Sequence, residues 1–441
     1  MGSSDERLRI AIIGAGVGGL TLSAALRSMN HENNLDVNIY EASSRISPIG
    51  AGINFWARTW GIAKAIGLEE KLSRLIPRGL PEGLIFEVRK SDQENGVYVQ
   101  GLMSVGGALR IHRADLQRAL IESTSGQLHL SHRLLSYEET DDEIQLHFQD
   151  GQTASCDLLV GMDGIKSVVR KCFLVKQGLG DSPSMHPFWT GSFAYRGLVP
   201  IDKLEAAFPG HRVFHTPMMY CGKFKHLVAY PISQDKLINI VCFVTHMDKE
   251  GAPYDGPTTS PCTQEEVLDT FKGWEEEVLA LLRCIEKPTK WAIRALHPLD
   301  KYASGRVVIA GDAAHAMTPH QGSGAGQAIE DAYILSSLIC ANASSSSHTK
   351  VPIPRISEIY NTIRQPLGNR VLAGSRTAGL LCQLVAPGLE DVVEGDRDVP
   401  REKLLEVFGM VGREWAWTWE ENVEDDRRRA LDMLRARPGE G

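Results

Sequence analysis

Three glycines mark the first place where residue type and spacing point to chemistry. Gly14, Gly16 and Gly19 form Gly-x-Gly-x-x-Gly directly after the short apolar run Leu8 to Ile13 and directly before the helical pattern LTLSAALRS. Glu41 closes the next apolar run, Val37 to Tyr40, 22 residues after Gly19. Strand, glycine turn, helix, strand and acid in this order make the full context of a dinucleotide site. The glycines let the backbone approach a pyrophosphate at a helix N-terminus, where unpaired N–H groups and the helix dipole favour negative charge. Glu41 is placed to accept hydrogen bonds from an adenosine ribose. The glycines alone do not distinguish FAD from NAD.

Two later segments decide between them. One runs from Asp157 to Arg170 (DLLVGMDGIKSVVR) and contains Asp163-Gly164; the other runs from Gly311 to Gly326 (GDAAHAMTPHQGSGAG). With the glycine fingerprint, and in this order, they resemble the FAD-dependent aromatic hydroxylases, the group A flavoprotein monooxygenases, over residues 8 to 335. The resemblance implies FAD as the cofactor. It also implies a transiently docking NADH or NADPH as electron donor, which agrees with the lack of a second glycine fingerprint. Asp312, after a buried strand, is placed for a ribityl hydroxyl, and the turn bearing Gly322, Gly324 and Ala325 for the isoalloxazine ring. A helix N-terminus aimed at that ring would stabilise its reduced anion. Arg113 in IHRADLQRAL, Arg45 in SSR, Asp163, and Gly52 in Gly50-Ala51-Gly52-Ile53 match family positions around the cofactor.

Closer resemblance is to salicylate hydroxylase-like members and to fungal hydroxylases of resorcinol-type and orcinaldehyde-type substrates. It is carried by Phe193-Ala-Tyr195-Arg196-Gly197-Leu198, by His226-Leu-Val-Ala-Tyr230-Pro231 and by Asn239. In the fungal relatives an Arg and a Tyr at these positions hold the substrate as phenolate, which implies that Arg196 and Tyr230 bind and activate it. The chemistry asks for such a pair. A flavin hydroperoxide delivers an electrophilic oxygen, which an ionised phenol attacks fastest, yet a free phenol ionises near pH ~10. A guanidinium within about 4 Å lowers that value by roughly 1–3 units. Pro319 is expected to shape the pocket above the ring; His320, with His226 and His315, is a candidate base. The bland readings are a surface pair for Arg196, a core position for Tyr230 and structural roles for the histidines. The expected activity is hydroxylation by O2 of a small phenolic acid or aldehyde, with or without loss of a carboxylate. A dearomatising or epoxidising biosynthetic monooxygenase, and a flavin reductase that inserts no oxygen, are the alternatives.

These residues need a scaffold, and the patterning supplies one. Helical signals recur at Thr59 to Gly67 and Ala114 to Ser123. A hairpin is expected from Leu134 to Glu139 and Glu143 to Phe148. Residues 188 to 245 read as β-rich, with strands at SFAYRGLVP, RVFHT, HLVAYPI and LINIVCFVT. Thr263-x-x-Glu266 is a capping box opening one helix that runs to about Cys284. After the strand RVVIAGD comes the helix GQAIEDAYILSSLICA, then a polar loop over Ala343 to Pro354 and a helical tail. Pro366 is a break in that tail, and Trp415, Trp417 and Trp419 form an unexplained cluster.

The expected fold is α/β: a Rossmann-like FAD-binding domain of the p-hydroxybenzoate hydroxylase type, a β-sheet substrate domain and a C-terminal helical segment. FAD-binding parts fall at 1–78, 108–180 and 291–345, substrate-domain parts at 79–107 and 181–290, and the helical segment at 346–441. Net charge is −8, with no basic block that would match nucleic acid. Glycines and alanines interrupt the apolar start, arguing against a leader, and no other run approaches the ~20 residues of a membrane span. The eight cysteines show no C-x-x-C and no His at metal spacing, so no metal site is expected. A soluble, cytoplasmic enzyme follows, with a homodimer left open.

Overall fold

The computed structural model describes all residues except 1–6, 33, 47–51, 76–82, 105, 107, 125, 233–235, 346–349 and 437–441. Gly50 and Ala51, and part of the expected loop at 343–354, therefore lie outside the described residues.

Two sheets organise the chain. The first has six strands, in the order Ala303–Ser304, Val307–Ile309, Leu158–Gly161, Leu8–Ile13, Leu35–Tyr40, Gln127–His129, all neighbours parallel except the first pair. The strand Leu8–Ile13 is apolar because it is covered on both faces: Ile10 and Ile12 on one and Ala11 and Ile13 on the other are all buried. The helices Val17–Met29 and Gly324–Ala343 pack side by side on it, so closely that a Cβ on Gly18 would stand 3.2 Å from that of Ala328. Both expected helices are present, as are the helices Ala57–Ala65 and Arg113–Ile121 and the hairpin Leu134–Glu139 with Ile144–Phe148.

The second sheet has eight strands, in the order Thr259–Pro261, Thr289–Ala295, Phe188–Pro200, Leu237–Thr245, Lys225–Ile232, Met218–Gly222, Leu84–Lys90, Val97–Met103. Its register fixes which side chains share a face. Arg196 lies opposite Val241 and Thr289, Asn239 opposite Tyr230 and Leu198, and Phe243 opposite His226. By the two-residue strand period, Arg196, Asn239, Tyr230, His226 and Phe243 all point to one side. The other side carries Tyr195, Ile238, Ile240 and Cys242 into a separate core with Trp274 and Leu281.

Three expectations need correction. The segment RVFHT holds a 3-10 turn, Arg212–Phe214, its His211 cap accepting from the Val213 N–H. The helix opened by Thr263 is two helices, Gln264–Thr270 and Glu276–Arg283, because the chain turns at Gly273 with φ +88°. Pro366 does not end its helix: Ile353–Cys382 runs through it, held on both sides by buried Ile363, Arg364, Leu367 and Val371. One lost N–H bond costs less than unpacking that face. Among the described residues no helix is long and apolar enough to cross a membrane.

Candidate active site

The glycine turn is built as a cradle. A Cβ on Gly19 would collide with the Gly14 carbonyl oxygen, and one on Gly14, at φ +105°, with the Met162 carbonyl. The Glu41 carboxylate braces the turn: one oxygen accepts from the Ala15 N–H at 2.9 Å and the other from the Ser43 N–H at 2.9 Å. Arg45 stands exposed on the following loop.

Asp163 is engaged by the protein itself. Its carboxylate accepts from Ser167 Oγ at 2.5 Å and from the N–H groups of Val168 and Val169 at 2.7 and 3.2 Å. It caps the helix Val168–Lys176, so its side chain also has a structural task beside the cofactor role expected of it. That helix carries Arg170, fully buried, which donates to the carbonyls of Ala313 at 3.0 Å and Ile165 at 2.7 Å and so ties the second cofactor segment to the third.

At the third segment Gly311 and Gly322 take positive φ, and the first intrahelical bond of Gly324–Ala343 runs from the Gln327 N–H to the Ser323 carbonyl. The N–H groups of Gly324 and Ala325 precede it and are open for an acceptor. Asp312 is exposed, and no hydrogen bond or ion pair engages its carboxylate among the described residues. Arg113 opens the helix Arg113–Ile121; its Nε is buried without a partner, as is Oε1 of Gln117 one turn later. Two buried polar groups on one helix face without protein partners fit an added polar ligand. Gln117 was missed by sequence reading; its i+4 spacing from Arg113 was the available signal.

On the sheet face, Arg196 lines a cavity of about 390 Å³ with Gly52, His112, Asn239, Thr289 and Trp291. Its guanidinium stands 5.2 Å from the Trp291 ring centre and forms no ion pair among the described residues. Burial pulls Arg196 below the ordinary arginine range; Tyr230 opposes this and the nearby positive Arg113 adds to it. The Asn239 Nδ2 is buried and unpartnered. The Tyr230 ring lies behind Gly52, where a Cβ would come within 2.9 Å of its hydroxyl. Tyr230 therefore borders the cavity without lining it.

His320 is separate from that cavity. With Pro319 exposed beside it, the turn Pro319–Gln321 tucks the imidazole against His226 and Phe243, ring centres 5.2 and 4.7 Å away. Neither ring nitrogen has a partner. Burial pushes His320 down to about 3 and holds His226 well below the usual histidine range. Both are neutral, resist taking up a proton, and can accept or donate one hydrogen bond to a ligand. His315 faces away, its Nε2 donating to Asp331 at 2.7 Å, so it is no base for the site. The tryptophan cluster gains a place: Trp415 packs 5.9 Å from Trp56 and 6.4 Å from Phe86, which lies 6.3 Å from Tyr230. The helical tail thus backs the wall behind Tyr230.

The cofactor cradle and the polar sheet face suit a flavin enzyme, and the FAD binding domain model matches residues 7–373, so the chain belongs to the family of FAD-dependent aromatic hydroxylases. Among its relatives is a salicylate hydroxylase of Pseudomonas putida, 34% identical over 97% of this chain and 95% of that one. Another is a 6-methylsalicylate 1-monooxygenase of Aspergillus terreus, 33% identical over 98% and 93%. The solved structure of a salicylate hydroxylase substrate complex superposes with a TM-score of 0.83 at 32% identity, covering 97% of this chain and 98% of that one. At 22% identity, Klebsiella pneumoniae HpxO with FAD and uric acid shares the fold, with a TM-score of 0.67 over 97% and 96%. FAD is the cofactor, and the protein is an FAD-dependent aromatic monooxygenase.

Proposed function

We propose that this enzyme hydroxylates a salicylate-like phenolic acid or aldehyde with NADH or NADPH and O2, and that Arg196 holds the substrate as an anion. The observation that carries this is an arginine in a cavity wall that forms no ion pair among the described residues, while Glu286, the acid in the same wall, is paired with Lys203 at 3.0 Å. A half-buried guanidinium without a counter-ion favours an incoming anion, and would lower a phenol's pKa by roughly 1–3 units. FAD, when bound, takes hydride from the nicotinamide and delivers one oxygen atom of O2 to the ring.

The remaining steps belong to the chain. Asn239 and Arg196 orient the ring on the sheet face, with Tyr230 setting the floor through Gly52. His226 and His320, neutral in an apolar cluster farther along the same face, offer unpartnered ring nitrogens as hydrogen-bond partners to a substrate that reaches them. If the anion is a carboxylate, Arg196 acts as its charge partner and the histidines take over the phenol. Glu41 and Arg45 serve the adenosine end of FAD; Arg113, Asp312, Gly322, Gly324 and Ala325 serve the ribityl and ring end.

A second reading has one observation in its favour. Leu198, 46% exposed, stands at the cavity, whose volume falls in the range of ~300–1,000 Å³ typical of larger ligands. A biosynthetic aromatic with a longer substituent would use that space. NAD(P)H-dependent oxygen uptake by the holoenzyme, with salicylate, 4-hydroxybenzoate and orcinaldehyde offered separately and products and CO2 quantified, separates the readings. Hydroxylated product from any of these supports the first. NAD(P)H oxidation with bound, reducible FAD but no product from any of them overturns it.

A further inference from the structure

The helix Gly324–Ala343 carries two adjacent acids, Glu330 and Asp331, at 1% and 0% exposure. Buried carboxylates are tolerated only when their oxygens are paired, and here all four are. Arg364, from the helix Ile353–Cys382, donates through Nε to Asp331 Oδ1 at 2.7 Å, through Nη1 to Glu330 Oε2 at 2.9 Å and through Nη2 to Gln327 Oε1 at 2.8 Å. Arg58 donates to Glu330 Oε1 at 2.9 Å and to Asp426 Oδ2 at 2.6 Å.

The two acids differ in one respect. Glu330 meets only arginines. Asp331 keeps its second oxygen for the cofactor turn: Oδ2 accepts from the Gly311 N–H at 2.8 Å and from His315 Nε2 at 2.7 Å. Gly311 and His315 bracket Asp312, the exposed acid expected to meet the ribityl chain. Burial alone would push Asp331 up, but His315 and Arg364 hold it well below the usual carboxylate range, so it stays an anion.

The geometry points to Asp331, held by Arg364, as a positioning residue for FAD: it pins both ends of the Gly311–His315 turn so that Asp312 is presented at a fixed place. This rests on the cofactor assignment and not on the substrate reading. Asp331 touches no cofactor atom in this account and acts through the turn.

The matched pair Asp331→Asn and Glu330→Gln tests it. Both remove one buried charge from the same arginine, and only the first weakens the tie to the turn. FAD-stripped full-length protein is titrated with FAD by fluorescence, with the flavin visible spectrum and reduction potential measured on the reconstituted enzyme. The expected result is a Kd at least ten-fold higher and an altered potential for Asp331→Asn, with Kd within about three-fold and an unchanged potential for Glu330→Gln. Equal weakening in both variants means general loosening and overturns the proposal, as does wild-type affinity in Asp331→Asn. Should either of this pair fail to fold, His315→Gln cuts one tie while leaving every arginine–carboxylate pair. It is then expected to weaken FAD several-fold at an unchanged apo-protein melting temperature, and wild-type affinity there overturns the proposal.

Discussion

Buried polar groups occur in two regions of this enzyme and are treated in opposite ways. Behind the cofactor cradle, Arg58, Arg364, Glu330 and Asp331 are withdrawn from water and pair their charges at 2.7–2.9 Å, although Arg58 Nη1 is left without a hydrogen-bond partner. On the face of the eight-stranded sheet, Arg196 forms no ion pair among the described residues, and buried Asn239, His226 and His320 leave side-chain nitrogens without partners. Desolvation costs apply in both places. In the first the protein supplies the compensation itself. In the second it leaves the compensation to a ligand, which is how a binding face differs from a structural joint.

The contrast breaks or sharpens under four measurements. Arg364→Met strands two buried carboxylates and is expected to cost about 3–5 kcal/mol of stability in denaturant unfolding, whereas Arg196→Met costs less than about 1 kcal/mol because no partner is abandoned. Equal losses would erase the distinction. Arg196→Met is expected to keep FAD yet lower hydroxylation about 100-fold at pH 7, the residual rate climbing with pH toward the free phenol value near ~10. A pH-independent deficit would show that the guanidinium does not ionise the substrate.

Next in size, Asp312→Ala is expected to raise the FAD Kd about ten-fold, the value of one charge-assisted hydrogen bond; full flavin occupancy at limiting FAD would remove that role. The last effect, absent at neutral pH, is on pH dependence. His320 is pushed down to about 3 in the fold, against 6.5 for the free side chain. The unfolded chain takes up a proton below pH 6.5 that the native state refuses, so stability is unaffected above 6.5 and falls as pH drops from 6.5 toward 3. The slope contributed is at most about 1.4 kcal/mol per pH unit for this histidine. His320→Phe should flatten it, and an unchanged slope would mean that the imidazole titrates normally.

The paired and unpaired regions were not equally legible in the sequence. Gly14, Gly16, Gly19 and Glu41 were, because a glycine turn between strand and helix is local and its spacing is set by backbone geometry. Arg196, Tyr230 and Asn239 were singled out by resemblance, and strand alternation puts them on one face. The charge network was not legible: it joins residues 58, 330, 364 and 426, and no local pattern announces such separations. The capping role of Asp163 was hidden for a related reason, since an acid before a helix serves as a cap or a ligand contact with the same neighbours in sequence. The Pro366 break failed because proline's local cost was outweighed by packing on both sides of it, and the single helix after Thr263 failed because an apolar period continues across Gly273 while the backbone does not.

The order in which these charges occur along the chain bears on biosynthesis. Every strand of the six-stranded sheet has been made once the ribosome passes residue 309, and both acids once it passes residue 331. Their counter-charge Arg364 and the Arg58 partner Asp426 emerge later. At synthesis rates of roughly 5–20 residues per second, the nascent cofactor lobe therefore spends seconds with Glu330 and Asp331 short of a partner. If Asp331 needs Arg364 to hold the turn, firm flavin loading is expected only after the helix Ile353–Cys382 has docked.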